Sequence, residues 1–120
     1  MSLARGVLIR LQPPSAIRLC YDIFQSRRDT DERRAAVDLL RDLADRDALN
    51  WIDQFLADPD GGIQNYGIGV VEQLLWRGVI GREECVTQLT HAEQHESAAV
   101  REAVHRIREH LQRLEPPGGR

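Results

Sequence analysis

Apolar residues recur along this chain at three- and four-residue intervals, and six stretches carry that helical spacing. After Pro13-Pro14, which suit an opening helical turn, Ile17, Cys20, Tyr21 and Phe24 share one face, widened by Leu19 and Ile23. A second helix is predicted from Asp29. Asp29 and Glu32 stand at capping-box spacing, and Ala36, Val37, Leu40, Leu43 and Ala44 form the stripe. Arg34–Asp38 and Arg41–Asp45 are expected to offset the repulsive Asp38–Asp42 pair on the other side. A short third helix presents Leu49, Ile52, Phe55 and Leu56 and is stopped at Pro59.

Asp60 can cap a fourth helix after the Gly61-Gly62 turn. Its broad apolar face runs through Ile63, Tyr66, Gly67, Val70, Val71, Leu74 and Leu75. Gly67 and Gly69 weaken a helix interior by roughly 1 kcal/mol each, so a close helix approach is expected there. Gly78 is placed as the residue after the helix end, with Val79 and Ile80 packing back. A fifth helix is predicted from about Gly81 to His95, with Glu83 and Glu84 in its first turn. Ser97 can cap a sixth. Its stripe is Val100, Ala103, Val104, Ile107, Leu111 and Leu114, with Glu102–Arg106 and Glu109–Arg113 as supporting pairs. Strand-like alternation is confined to Val7, Ile9 and Leu11, where a helical lead-in fits as well. The expected organisation is all-α: a lead-in over 1–12, a helical domain over 13–114 and a flexible tail over 115–120.

Composition narrows the function. The 120 residues suit one small domain. Net charge is −3, with 16 basic and 19 acidic side chains, so the basic excess typical of nucleic-acid modules is missing. All the basic residues are Arg. This reads first as the coding bias of a GC-rich, bacterial genome, and it makes every cation a planar fork suited to carboxylates. Cys20 and Cys85 lie far apart without C-x-x-C spacing and read as buried, reduced small hydrophobes. No export signal or membrane-length apolar run occurs, and the expected location is cytoplasmic.

The chain also resembles itself. Ile63-x-x-Tyr66-Gly67-x-x-Val70 aligns with Val100-x-x-Ala103-Val104-x-x-Ile107, and Ala36-Val37-x-x-Leu40 fits an earlier copy. Each of the two later copies follows a helix that ends in a polar turn, so the unit is a helical hairpin, present two and a half to three times. The segment Phe55-Leu56-Ala57-Asp58-Pro59-Asp60-Gly61-Gly62-Ile63-Gln64-Asn65-Tyr66-Gly67 resembles the helix end, Asp-Pro-Asp turn and helix start of a HEAT repeat. Ser97-Ala98-Ala99-Val100-Arg101-Glu102-Ala103-Val104 is similar, with Val-Arg-x-x-Val in place. The resemblance spans roughly residues 30 to 114. Gln64 stands where that family often has Arg, and the first copy lacks the Asp-Pro turn. The resemblance implies an armadillo-like α-α superhelix whose concave side holds partners.

Few chemical motifs rise above a structural reading. Asp58-Pro59-Asp60-Gly61-Gly62-Ile63 looks like part of a calcium loop, but Leu56 and Gly67 occupy the positions of its strongest ligands. His91 and His95 share a helix face at ligand spacing, yet lack the Glu after the first His that a zincin needs. No nucleophile elbow or phosphate loop occurs. Together with this, the resemblance implies a non-catalytic scaffold without cofactor or metal, binding a protein partner on the concave side through Asn50, Trp51, Gln54, Glu84, Gln88, His91 and His95 of the third and fifth helices. Two alternatives stay open. One is a nucleic-acid binder using Arg27, Arg28, Arg33 and Arg34 together with Arg101, Arg106, Arg108 and Arg113. The other is a metal-binding or catalytic protein built on Glu84, His91 and His95. Exposed repeat ends also leave an end-to-end homodimer open.

Overall fold

The computed structural model describes residues 13–26 and 29–114. The expectations for the lead-in over 1–12 and the tail over 115–120 lie outside them, as do Arg27 and Arg28. The described residues are all-α, with six α-helices and no strand: α1 Pro13–Gln25, α2 Thr30–Leu43, α3 Ile52–Ala57, α4 Gly61–Trp76, α5 Val86–Glu93 and α6 Ala98–Leu114. Two of them differ from the pattern-based reading. α3 is opened by a 3-10 turn over Arg46–Trp51, and α5 by another over Arg82–Cys85. The predicted fifth helix from Gly81 is thus an eight-residue α-helix behind a tighter lead-in. Within that lead-in the Glu84 carboxylate folds back to accept the Gly81 N–H at 2.8 Å.

The helix starts repeat one device. Asp29 accepts the Glu32 N–H at 2.9 Å, Asp60 accepts the Ile63 N–H at 2.9 Å, and the Ser97 hydroxyl accepts the Val100 N–H at 3.4 Å. Each satisfies an orphan donor at the start of α2, α4 or α6. Four residues beyond each cap, a side chain turns back onto a carbonyl at the end of the preceding helix or in the turn after it. Arg33 donates to the Phe24 carbonyl at 2.8 Å, Gln64 to the Asp58 carbonyl at 2.7 Å and Arg101 to the His95 carbonyl at 2.6 Å. Gln64 therefore does in its turn what Arg101 does in the next. At the other end of α4, Gly78 takes the left-handed conformation, φ 73°. That lets the Val79 N–H reach the Leu74 carbonyl at 2.9 Å.

Contacts between elements run along two rows. In one, Tyr21 of α1 stacks on Trp51 at 4.1 Å between ring centroids, and Phe24 meets Phe55 of α3 edge-on at 4.8 Å. Hydrogen bonds then tie Leu49, Asp53 and Leu56 to Gln88, His91 and His95. In the other, Arg34 of α2 holds Asp60 at 2.7 Å, and Arg106 of α6 holds Glu72 of α4 at 3.0 Å. Residue numbers rise together across every one of these seams, so neighbours within a row run the same way. α4 packs against α2, α3 and α6. A single apolar cluster runs between the rows from Ala16 to Ile107, with Ile52, Phe55, Ile63, Val70, Val71 and Leu74 fully buried. The smallest extent of the molecule is 21 Å, the thickness of two helices of roughly 10 Å each.

Several pairings differ from those expected within one helix. Arg34 turns to Asp60 and Asp31 and not to Asp38. Arg41 bonds Asp38, and Arg106 reaches across to Glu72. Partners on the neighbouring helix of the same row win because their carboxylates are the more enclosed: the Asp60 and Glu72 side chains are only 18% and 16% exposed. The α6 stripe also fades at its end, where Leu111 is half-buried and Leu114 is 63% exposed.

Candidate functional site

The seven sequence-predicted residues fall on one row. Asn50, Trp51 and Gln54 lie on α3 and its lead-in; Glu84, Gln88, His91 and His95 lie on α5, its lead-in and the turn after it. Asn50 is exposed. The others are engaged in seams between neighbouring helices. Trp51 is half-buried beneath Tyr21. Gln54 sets its amide nitrogen 2.8 Å from the Tyr21 hydroxyl, which also receives a hydrogen bond from Gln25 at 2.9 Å. Gln88 donates to the Leu49 carbonyl at 3.4 Å, and its own amide oxygen is buried without a partner.

The two histidines turn to different partners. His91 Nδ1 lies 3.0 Å from Asp53 Oδ1, with both side chains more than half exposed. His95 has both ring nitrogens committed. Its Nε2 lies 2.8 Å from the Leu56 carbonyl, and its Nδ1 accepts the Ser97 N–H at 3.0 Å. Nε2 must therefore carry the proton, because a carbonyl only accepts and an N–H only donates. Among the described residues no group of three or more His, Cys, Asp or Glu is placed to hold a metal ion. His105 pairs with Glu109 at 3.6 Å, and His110 lies against Trp76 at 3.8 Å between centroids.

Glu84 is the best-anchored carboxylate of the strip. Arg46 donates to it at 2.6 Å. That bond, with the Gly81 N–H, holds the carboxyl below the usual carboxylate range against the opposing pull of desolvation. Burial pushes the Cys20 thiol up to about 11 and raises Cys85 as well, so neither is poised as a thiolate nucleophile. Four arginines of the two groups are tied down in the same fashion. Arg33 pairs with Asp58 and Arg34 with Asp60. Arg106 pairs with Glu72, and Arg108 with Glu93 at 3.1 Å. Asp58 and Asp60, the acids of the calcium-like turn, are thereby committed to arginines and caps.

Sequence reasoning missed Tyr21, Asp53 and Arg46, which complete the seams. Tyr21 reads as one more core residue. Its only signal is that a buried phenol needs a polar partner, which Gln25, one turn on, supplies. Asp53 and Arg46 gave no signal, since their partners lie 38 residues away. Comparison with protein-family models, with curated proteins and with solved structures finds no match.

Proposed function

We propose that this chain is a short α-α superhelix of HEAT-like helical hairpins. In this reading it is a non-catalytic interaction module that seats a protein partner along the concave row formed by α3 and α5. The observation that carries the reading is the recurrence of one device at three turns. A cap at Asp29, Asp60 or Ser97 is followed four residues later by Arg33, Gln64 or Arg101, each bonded to a carbonyl of its own turn or of the helix before it. The like-directed seams of both rows support it further, because units that cannot bury an apolar face alone complete a core by stacking. Along the partner row, Asn50, Asp53, Gln54, Thr87, Thr90 and His91 stand exposed. They would give that partner hydrogen-bonding groups of both kinds.

The test is affinity capture from cells of the source organism, with the full chain as bait, followed by identification of the captured proteins. Asn50→Arg with His91→Ala alters the row, and Asn65→Arg alters the opposite one. Circular dichroism confirms that each variant is folded. The expected result is a specific partner retained by the wild type and by Asn65→Arg and lost from the α3/α5 variant. Equal retention by all three overturns the reading. A phosphate-binding use of the arginines would have to draw Arg33, Arg34, Arg106 and Arg108 away from Asp58, Asp60, Glu72 and Glu93. A steep fall of DNA or RNA binding with added salt would be its signature.

A further inference from the structure

The row of α3 and α5 differs in charge from the helices beside it. On α3 with its lead-in and cap, Asp45, Asp47 and Asp53 outnumber Arg46; on α5 and its lead-in, Glu83, Glu84 and Glu93 outnumber Arg82. On α6, in the other row, Arg101, Arg106, Arg108 and Arg113 outnumber Glu102 and Glu109. Arg46 is taken by Glu84 at 2.6 Å. Asp53 has only His91 beside it, and among the described residues no arginine pairs with Asp45, Asp47 or Asp53, all three of which are exposed.

A hollow of about 130 Å³ opens at the start of this row, between α1 and the lead-in to α3, lined by Pro14, Ile17, Arg18, Asp45, Asp47 and Trp51. Ile17 is buried and Trp51 is half-buried beneath Tyr21, which makes part of the wall apolar. Asp45 and Asp47 add two carboxylates. Asp45 accepts the Asp47 N–H at 3.0 Å, a neutral donor that leaves its charge in place. Arg18 is turned elsewhere: it pairs with Asp22 at 3.3 Å and stands 5.5 Å from the centre of the Tyr21 ring. A long cationic side chain matches both parts of the hollow, its alkyl stem on the apolar wall and its head with the carboxylates.

We propose that the partner of the α3/α5 row is a basic protein segment, with one arginine or lysine seated in this hollow and its other cations along the acidic row. The inference rests on the reading of α3 and α5 as a partner row and adds the chemistry of what that row accepts. An acidic segment would meet carboxylates of its own sign, and an apolar one would take exposed carboxylates out of water without pairing them.

The probe is a capped peptide of alternating arginine and alanine, titrated into the full chain at fixed low salt. A peptide of alternating glutamate and alanine and the small polycation spermidine are the comparators. The chain holds two tryptophans, so a Trp76→Phe background lets the emission of Trp51 report the hollow alone. The arginine peptide is expected to bind and shift that emission, and the glutamate peptide to leave it unmoved. Asp45→Asn with Asp47→Asn keeps the cap and is expected to weaken the arginine peptide roughly three- to tenfold, the scale of two exposed ion pairs. Glu102→Gln with Glu109→Gln removes equal charge on α6 and is expected to change it by less than about twofold, because salt screens distant charges. Arg18→Gln removes a like charge from the hollow and is expected to tighten the peptide by roughly twofold. The proposal is overturned if the α3 and α6 variants weaken binding equally, if Trp51 emission does not move, if Arg18→Gln weakens binding, or if spermidine binds as tightly as the peptide. A partner captured on the row but retained equally by the Asp45→Asn, Asp47→Asn chain also overturns it and leaves the partner row standing, whereas that row is judged by capture with variants that keep both aspartates.

Discussion

A β-carbon added at Gly67 would overlap Phe55 Cβ, and Phe55 is fully buried and held edge-on by Phe24. Neither side chain nor backbone has room to yield, so Gly67→Ala is expected to cost about 1–3 kcal/mol as an overpacked site. Gly61 gives the opposite case within the same helix. Nothing lies within 4 Å of a Cβ built there. Gly61→Ala is expected to stabilise by up to about 1 kcal/mol, because alanine gives up less backbone freedom on folding. Denaturant titration of the two variants checks the pair, and equal effects would contradict the close approach of α3 to α4. The same packing explains why so apolar a helix contains glycine at all. At Gly69 the neighbour is the Arg41 side chain, whose Nε would lie 3.1 Å from an added Cβ. That guanidinium also stands 5.4 Å over the Tyr66 ring.

The turns show how far helix punctuation can be read from residues alone. Asp29, Asp60, Ser97 and Gly78 act where their chemistry placed them, because caps and left-handed glycine are decided within a few residues. The bond from Gln64 back to the Asp58 carbonyl is equally local, and it is separable from residue identity. Gln64→Ala is expected to cost about 1 kcal/mol, while Gln64→Arg, which can reach the same carbonyl as Arg101 reaches its own, is expected to stay near the wild type in a thermal melt. What could not be read locally were the ties between distant elements, such as Arg34–Asp60. An arginine with acids three and four residues away on its own helix gives no sign that it will choose one 26 residues off. The strip of seven was hidden for the same reason: its positions on one row were legible, whereas its bonds to Tyr21, Asp53 and Leu56 depend on which helices meet. The Arg34–Asp60 tie has a pH signature. The hydrogen bond from Arg34 holds the Asp60 carboxyl below its ordinary value, against desolvation and with help from the Ile63 N–H. A carboxyl with a depressed folded value stabilises fully above its unfolded pKa of about 3.9, and that contribution fades as pH falls through the folded value. Asp60→Asn keeps a good helix cap and loses the charge. Denaturant midpoints taken from neutral pH into acid are expected to fall less steeply for Asp60→Asn than for the wild type.

At the scale of the molecule, the order of contacts makes burial uneven. α4 is covered by α2, α3 and α6, and its Val70, Val71 and Leu74 are fully buried. α6 is covered by α4 and α5, and its last residues, Gln112 to Leu114, are exposed. The replacements along α6 reflect that position. The helix caps align Ser97 with Asp60, so Arg108 and Gln112 occupy the places that Val71 and Leu75 hold in α4. Polar residues there suit a face that meets no further helix among the described residues, and they leave a groove beside α5 with charged walls. In the linear arrangement we propose, stability passes from neighbour to neighbour, so the end unit can open without the middle. Amide hydrogen exchange should then grade along the chain. The slowest exchange is expected at Val70, Val71 and Leu74, intermediate rates in the body of α6, and the fastest in its final turn. A closed bundle around one shared centre would instead protect the interiors of α4 and α6 alike. Equal protection of Val71 and Val104 under native conditions would therefore refute the linear reading and, with it, the concave row on which the proposed partner is seated.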